Sequence, residues 1–332
     1  MHTLVVGSRV SSDKQGITFC CFDEQTGVIQ YLTGIDGVEQ PTFQCFDHEK
    51  NILYTVSETE TDGHVYGFRV SPSLKCEQIL CVPSLGGSPC HLALAPSGVG
   101  LAIANYADGV FTFLGFGKPD YRETFSGKGK HPVRQEGSHI HSSLWTAEGS
   151  SLLVADLGLD RLIWYKDSFT AKQYIQVPPG TGPRHMALSS DKTTLFVAAE
   201  LSSEVLVIKL GPEPSVVQTI STLPLDFTDE NTAADIHLSD DGRFLYCSNR
   251  GHDSIAMYAV EPASGLLTLL GHCKVEEEPR NFCIDPSGNY LLSGNAGSNS
   301  ITVHAIDQET GMLSSAVHRL ELQAPVCLTF MT

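Results

Sequence analysis

Short apolar segments alternate with polar turns along this chain, and the whole pattern recurs roughly every 40–50 residues. In each repeat an apolar run is followed by a turn signal such as Asp240-Asp-Gly242 or Asp285-Pro-Ser-Gly288, and then by a second apolar run. Two short strands joined by a tight turn account for this pattern. A polar gap, a third strand such as Ser254–Val260 and a fourth strand behind a further turn complete the repeat. Four antiparallel strands per repeat predict one blade of a β-propeller.

Seven segments begin equivalent repeats, and in the first six a leucine follows the first residue at a constant distance. The first residues are Pro41, Pro89, Ile140, Pro183, Ala233, Pro279 and Pro325, and the leucines are Leu53, Leu101, Leu152, Leu195, Leu245 and Leu291. The seventh repeat is split, because Pro325–Phe330 supplies its first strand while Leu4–Ser8 and Gly16–Phe22 supply its second and third.

We therefore expect an all-β fold, a seven-bladed β-propeller with four antiparallel strands per blade. Its last blade is closed by the N- and C-terminal segments, which removes open sheet edges. Residues 1–332 are expected to form a single domain, since no linker rich in Pro, Gly or Ser interrupts the period.

The formal net charge is −17, which argues against nucleic acid and anionic membranes as partners. The N-terminus begins a strand and carries no basic segment followed by an apolar core, so no secretory signal is predicted and the expected location is cytoplasmic. The ten cysteines include no Cys-x-x-Cys motif and are expected to be free thiols in that compartment. We expect a monomer or a weak homo-oligomer.

Charged residues depart from the repeat at a few equivalent positions. The position directly after each repeat start, where the first strand of each blade is expected to begin, holds Thr42, Cys90, His141, Arg184, Ala234, Arg280 and Val326. The next position holds Phe43, His91, Ser142, His185, Asp235, Asn281 and Cys327. The position just past the second strand holds Glu58, Tyr106, Leu157, Glu200, Arg250 and Ala296, and the N-terminal strand adds Arg9. Because a hairpin brings its two ends together, these positions are expected at one rim of the propeller channel.

The chemistry concentrates in three consecutive repeats, which contain His141, Arg184, Glu200, Asp235, His237 and Arg250. In so acidic a chain, arginines at a channel mouth indicate an anion site, because a planar guanidinium binds carboxylate or phosphate in bidentate fashion. The alternative is that Arg184 and Arg250 only neutralise Glu200 and Asp235 as ion pairs. The pairs His139-x-His141 and Asp235-x-His237 could bind a metal, but they do not form a zinc-binding pattern. No cofactor or metal is expected.

Several motifs resemble the seven-bladed propeller lactonase family, which includes bacterial propeller-type 6-phosphogluconolactonases and fungal muconate-lactonizing enzymes. The motifs are Gly182-Pro-Arg-His185, Ala199-Glu-Leu-Ser-Ser-Glu-Val205, Ala233-Ala-Asp-Ile-His237, Asp241-Gly-Arg-Phe-Leu-Tyr246, Ser248-Asn-Arg250 and Pro279-Arg280. The resemblance covers nearly the whole chain and is most specific from Gly182 to Arg250. It implies that a histidine and Glu200 carry out proton transfer and that Arg184 and Arg250 hold an anionic substrate. The histidine is His141, with His139 as the alternative.

The resemblance favours a hydrolase that opens 6-phospho-D-glucono-1,5-lactone to 6-phosphogluconate, a step of the pentose phosphate pathway. Lactone opening needs a water deprotonated near neutral pH, and histidine titrates in that range, so His141 is the expected general base. Glu200 would orient the water or exchange protons with His141. Arg184 and Arg250 would bind the phosphate or the developing oxyanion. Further substrate contacts are expected from Asp235, His237, Arg280 and Arg9.

Three other functions are compatible with a propeller fold. A lactonizing isomerase of muconate type would use the same arginines for carboxylates and deliver the proton to carbon. A calcium-dependent lactonase of the six-bladed type would need a ring of oxygen ligands and no arginine pair. A protein-binding platform would have no reason to gather His, Glu and Arg on neighbouring blades, and the chain lacks the recurring Trp-Asp dipeptide of such platforms.

Overall fold

The computed structural model describes residues 1–117, 120–146 and 151–331, and their regular structure is almost entirely β-strand. In chain order the strands are β1 His2–Ser8, β2 Ile17–Asp23, β3 Val28–Ile35, β4 Gln44–Asp47, β5 Ile52–Ser57, β6 His64–Val70, β7 Cys76–Pro83, β8 Pro89–Leu94, β9 Gly100–Asn105, β10 Val110–Gly115, β11 Tyr121–Thr124, β12 Ile140–Trp145, β13 Leu152–Asp156, β14 Arg161–Lys166, β15 Ala171–Gln176, β16 Pro183–Leu188, β17 Thr194–Ala199, β18 Glu204–Lys209, β19 Ser215–Ser221, β20 Thr232–Leu238, β21 Phe244–Arg250, β22 Ser254–Val260, β23 Leu267–Lys274, β24 Pro279–Ile284, β25 Tyr290–Asn295, β26 Ser300–Ile306, β27 Leu313–Glu321 and β28 Pro325–Phe330. A short 3-10 helix, Leu157–Leu159, follows β13.

The strands form four-stranded sheets, as the repeat predicts. Six sheets follow chain order: β4-β5-β6-β7, β8-β9-β10-β11, β12-β13-β14-β15, β16-β17-β18-β19, β20-β21-β22-β23 and β24-β25-β26-β27. The remaining sheet has the order β28-β1-β2-β3, so the C-terminal strand pairs with the N-terminal one. The predicted split repeat is therefore confirmed.

The chain divides into two compact units. The first unit comprises Met1–Val6, Phe19–Leu32 and the chain from His185 onward, and the second comprises Gly7–Thr18 and Thr33–Arg184. Phe196 and Tyr258 belong to one core cluster of the first unit, and Phe111 and Tyr165 to one of the second. The single domain expected from the sequence stays a prediction.

Burial follows strand position within each sheet. The second strand is buried along its whole length in β5, β9 and β17, because it lies between two neighbours and under apolar layers on both faces. The outer strands β19 and β27 alternate exposed and half-buried residues instead. The recurring leucines, such as Leu101 and Leu245, lie on second strands and are buried.

The predicted turns are tight because a glycine adopts the left-handed conformation in each of them. Gly98, Gly242 and Gly288 have φ of 63°, 72° and 74°. Each donates its backbone N–H to the carbonyl three residues earlier, as Gly242 does to Ser239 at 2.8 Å. Glycine meets this conformation without a Cβ clash, so the first and second strands of these blades can pair directly.

One predicted strand start differs from the structure. The first strand of the Pro41 repeat begins at Gln44, so Thr42 precedes the ladder. Gln40 has φ of 45°, and its backbone donates to the Val10 carbonyl and accepts from the Glu58 N–H. These bonds tie the start of the repeat to neighbouring loops before the regular ladder begins.

Candidate active site

β-Bulges occur directly after three repeat starts, and β20 has a wider register shift against β21 after Ala233. In β8 the pairing passes from Pro89↔Asn105 to His91↔Ala104, and β12 and β24 show the same shift against β13 and β25. The skipped residues are Cys90, His141 and Arg280. A bulge leaves its extra residue outside the ladder and re-aims its side chain. In these three sheets the position directly after the repeat start therefore lies at a bulge, which the sequence pattern alone does not reveal.

The hairpins also bring their two ends together, as expected. Thr232 pairs with Arg250, and Ile140 pairs with Asp156. The residue after the repeat start and the residue past the second strand therefore lie at the same end of each of these hairpins.

In the first unit, Asp235 on β20 is the centre of a buried hydrogen-bond network. His185 Nδ1 donates to its Oδ1 at 2.6 Å, and His237 Nε2 donates to its Oδ2 at 3.0 Å. The Asn281 amide and the backbone N–H of Phe282 also donate to Oδ2. The Asp235 side chain is only 4% exposed. Burial alone would raise its pKa, but the two imidazoles and their hydrogen bonds hold the pKa of Asp235 well below its usual value of 3.8.

His237 is the exposed member of this network. Its side chain is 40% exposed, against 9% for His185, and its ring lies edge-on to Phe282 with 4.8 Å between ring centroids. Burial would lower its pKa, but the Asp235 carboxylate outweighs that and raises the pKa of His237 above its usual 6.5. The network thus presents a readily protonated imidazole to solvent.

These two pKa shifts predict how stability depends on pH. The raised pKa of His237 means that its contribution is fully present below pH 6.5 and is lost as the pH rises through its folded-state pKa. The lowered pKa of Asp235 gives a contribution present above pH 3.8 and lost on acidification. We expect the difference in unfolding free energy between wild type and His237→Ala to shrink from pH 5.5 to pH 8.5 in urea titrations. His48→Ala, at an exposed turn histidine, is the control. A difference that is constant or grows with pH would contradict this assignment.

Glu200 and Arg250 form an ion pair in the first unit. Arg250 Nη2 lies 3.1 Å from Glu200 Oε2, with side chains 14% and 3% exposed. Arg250 Nη2 also lies 3.4 Å from the Ala233 carbonyl. Glu200 directly follows β17 and Arg250 ends β21, so the second strands of two successive sheets bring the pair together. The sequence left open whether these residues are simple ion-pair partners. The pairing of Arg250 with Glu200 is observed, whereas Asp235 is paired with histidines.

In the second unit, Tyr106 lies beside both candidate histidines. Its ring stacks on His139 with 4.3 Å between centroids, and it meets His141 edge-on at 5.6 Å. His139 donates Nδ1 to the Tyr106 carbonyl at 2.9 Å, and its Nε2 lies 3.5 Å from Glu136. His141 occupies the bulge of β12, with its Nδ1 4.0 Å from the Cys90 sulfur. His139 is thus tied to Tyr106 and Glu136, and the choice of His141 over His139 as the functional histidine stays a prediction.

The remaining predicted residues fall in both units. Arg184 of the second unit is buried on β16, and its carbonyl accepts a hydrogen bond from Ser142. Arg9 of the same unit is half-buried directly after β1, as the repeat alignment predicts. Arg280 of the first unit is half-buried at the β24 bulge, and among the described residues its guanidinium has no hydrogen-bond or ion-pair partner. An unpaired arginine of this kind is suited to bind an anion.

Two residues of the first-unit network were not selected from the sequence. His185 and Asn281 bond to Asp235 on either side, and Asn281 also accepts the Leu328 N–H at 2.7 Å. The signal was present, because His185, Asp235 and Asn281 occupy the same position in successive repeats. Polar residues at the same position in the first strands of neighbouring sheets can form hydrogen bonds with one another.

Within 1–117, 120–146 and 151–331, no group of three or more His, Cys, Asp or Glu side chains is arranged to hold a metal ion. No helix in that part of the chain is long and apolar enough to cross a membrane.

Comparison with known proteins gives consistent matches along the chain. The family model described as "Lactonase, 7-bladed beta-propeller" matches residues 3–330. The 6-phosphogluconolactonase of Bacillus subtilis strain 168 is 32% identical over 296 residues, which cover 85% of this chain and 84% of the relative. The 6-phosphogluconolactonase of Formosa agariphila is 32% identical over 292 residues, covering 82% and 83%. The solved structure of the Pseudomonas aeruginosa periplasmic gluconolactonase has a TM-score of 0.92 and 29% identity, covering 100% of this chain and 99% of that one. The predicted seven-bladed β-propeller and the resemblance drawn from the motifs are confirmed.

Proposed function

Because the chain belongs to the seven-bladed β-propeller lactonase family, we propose that this lactone hydrolase opens 6-phospho-D-glucono-1,5-lactone to 6-phosphogluconate. Two curated relatives at 32% identity carry that activity in their names. The observation that carries the proposal is the buried Glu200–Arg250 pair, which sets a carboxylate and a guanidinium 3.1 Å apart. Proton transfer and oxyanion stabilisation both require groups of this kind.

The reaction needs four bond changes. A base takes a proton from water, and the water oxygen forms a bond to the lactone carbonyl carbon. The bond between that carbon and the ring oxygen then breaks, and the ring oxygen receives a proton from an acid. No electron donor or acceptor is required, so acidic, basic and cationic side chains supply all the chemistry.

We assign Glu200 to proton transfer and Arg250 to the anionic group of the substrate or to the developing oxyanion. Arg280, half-buried and unpaired among the described residues, is a second anion-binding group of the same unit. His237 presents its imidazole from the Asp235 network and is assigned to a substrate hydroxyl. The roles of His141 as general base and of Arg184 and Arg9 as substrate-binding residues stay predictions from the sequence, as does the cytoplasmic location.

A second candidate substrate is the unphosphorylated glucono-1,5-lactone. The Pseudomonas aeruginosa structure that resembles this chain along its length is named a gluconolactonase. The two substrates share the ring and the scissile bond and differ in charge. Rates on both lactones, compared under the same conditions, decide between them.

The general base is tested by following lactone decay with and without the protein, because the substrate also opens spontaneously. We expect His141→Ala to lower the enzymatic rate above background by about 10²-fold, the usual range for loss of a general base. His139→Gln is the matched control, since its amide can still donate to the Tyr106 carbonyl. Equal losses of hydrolysis rate in both variants would contradict the role of His141 as the general base.

The lactonizing isomerase is tested separately. Loss of diene absorbance when the protein is incubated with a muconate would support that function.

A further inference from the structure

Asp156 is a fully buried carboxylate at the end of β13 in the second unit, where it pairs with Ile140 of β12. The equivalent residues of the other repeats are uncharged: Ser8, Ser57, Asn105, Ala199, Asn249 and Asn295. Only the repeat that contains His141 thus has an acidic residue at this position. A carboxylate is costly to bury unless it is paired and hydrogen-bonded. The partners of Asp156 therefore show what the carboxylate does in this sheet.

Four donors surround the Asp156 carboxylate. Its Oδ1 accepts the backbone N–H of His139 at 3.1 Å and that of Leu159 at 3.2 Å. Its Oδ2 accepts the Ser138 hydroxyl at 2.9 Å and the Arg161 Nε–H at 3.3 Å. Burial raises the pKa of Asp156, and the Arg161 guanidinium and these hydrogen bonds oppose that rise. The carboxylate thus joins the segment before β12 to the segment after β13.

The backbone of His139 is held on both of its polar groups. Its N–H donates to Asp156, and its carbonyl accepts the Leu157 N–H at 2.9 Å, in the 3-10 helix that Asp156 caps. Gly158 of this helix packs very closely on the same segment. A Cβ there would clash with the Gly137 carbonyl oxygen and would lie 2.8 Å from the His139 nitrogen. The chain is therefore fixed immediately before β12.

This fixed segment leads directly into the bulge that carries His141. Ile140 pairs with Asp156, and the register then shifts so that His141 is the extra residue of β12. A bulge re-aims the side chain of its extra residue, and the new direction depends on where the regular pairing stops. Asp156 contacts both residues before the bulge, because it pairs with Ile140 in the ladder and its side chain binds the His139 N–H.

Two neighbouring side chains confine the His141 ring. Its Nδ1 lies 4.0 Å from the Cys90 sulfur, and the Tyr106 ring meets it edge-on with 5.6 Å between ring centroids. The Cys90 thiol also donates to the His141 carbonyl at 3.3 Å. Because the ring is packed on these sides, a shift of the β12 backbone would displace the imidazole nitrogens. A displacement of about 1 Å in a reacting group can lower a rate by about 10²-fold.

We propose that Asp156 is a positioning residue for His141, because it holds the backbone before the β12 bulge and so directs the imidazole toward the lactone. The proposal rests on the proposed function, in which His141 is the general base. Asp156 is fully buried and acts only through the backbone that it holds. Its loss should therefore slow proton transfer without removing a substrate contact, which means a lower kcat at a nearly unchanged KM.

The test compares Asp156→Ala with Asp156→Asn on whichever gluconolactone, phosphorylated or not, the wild type opens. Asparagine keeps an oxygen that can accept the His139 and Leu159 N–H groups, whereas alanine has none. We expect Asp156→Ala to lower kcat by about 10²-fold per folded molecule, as determined from urea titrations, and Asp156→Asn to retain most of it. Asp47→Ala is the matched control, because Asp47 is a buried carboxylate of the same unit that accepts two backbone N–H groups in a turn. It should lose stability and keep its kcat.

A second measurement does not depend on lactone opening. The imidazole Cε1–Hε1 NMR signal of His141 is assigned by its absence from the spectrum of His141→Gln. We expect this signal to move more in Asp156→Ala than in Asp156→Asn or Asp47→Ala. If Asp156→Ala does not fold, Asp156→Ser takes its place, with the residue that the Pro41 repeat has at Ser57.

The same kcat per folded molecule and the same His141 signal in Asp156→Ala as in Asp47→Ala would overturn the proposal, because Asp156 would then only stabilise the fold. A change in one of these two quantities without the other would overturn it as well. If the wild type opens neither lactone, the proposed function fails. The displacement of the His141 signal then decides by itself whether Asp156 positions this residue.

Discussion

Replacing Glu200 by glutamine is expected to lower kcat for lactone hydrolysis by about 10²–10³-fold, the range for loss of a proton-transfer group. Glutamine keeps the shape of the side chain but cannot take up or release the proton. The substitution also removes the negative partner of Arg250, whose guanidinium is only 14% exposed. The measurement is the enzymatic rate above spontaneous opening, with the free energy of unfolding determined for the same preparation.

The control separates catalysis from ion pairing. Glu230→Gln, at an exposed residue shortly before β20, should retain wild-type rates. The double variant Glu200→Gln/Arg250→Gln no longer leaves a buried charge without its partner, so it should recover part of the lost stability. Recovery of activity along with stability would show that the pair only supports the fold. We expect stability to recover and activity to stay low.

Replacing Asp235 by alanine should destabilise the protein by about 3–5 kcal/mol, the typical cost of removing one partner from a buried charged network. The side chain accepts hydrogen bonds on both oxygens, from His185, His237 and Asn281 among others. Without it, the buried donors of His185 and Asn281 lose their acceptor in an interior that water enters poorly. Urea unfolding should show a lower midpoint with an unchanged slope.

Asp235→Asn and Asp241→Ala provide the comparison for that loss. Asparagine retains one acceptor oxygen and the volume of the side chain, so its effect should be smaller than that of alanine. Asp241 is an exposed turn aspartate, and its loss should change stability much less. A midpoint for Asp235→Ala equal to that of Asp241→Ala would mean that the network contributes little to folding.

Much of the fold could be predicted because every repeat of the sequence predicts the same four strands. Leu101 and Leu245 marked second strands, and the structure buries both. The pairing of the Pro325 strand with the N-terminal segment followed from assigning the leftover strands to one blade. The first strand of the Pro41 repeat was predicted to begin too early. The spacing of residues along the chain does not reveal the hydrogen bonds that Gln40 makes to distant loop residues.

The candidate site could be predicted as a set of positions but not as a set of contacts. Equivalent positions singled out Glu200 and Arg250, and the ion pair between them is a matter of side-chain reach that periodicity does not encode. The role of His185 as a partner of Asp235 depends on how neighbouring first strands face each other. The bulge at His141 likewise depends on pairing with β13, which single-strand patterns do not display.

The sheet order β28-β1-β2-β3 has a kinetic consequence. During synthesis β1 is made first, whereas its partner β28 follows all the other strands, so this sheet stays incomplete while sheets with local partners can already form. Joining strands so distant in sequence carries a large loop-closure entropy and is expected to be a late folding step. Until then the apolar β1, with Leu4, Val5 and Val6, has an unpaired edge that can capture strands from other molecules. Refolding yield should therefore depend on protein concentration, with this edge as the point of association.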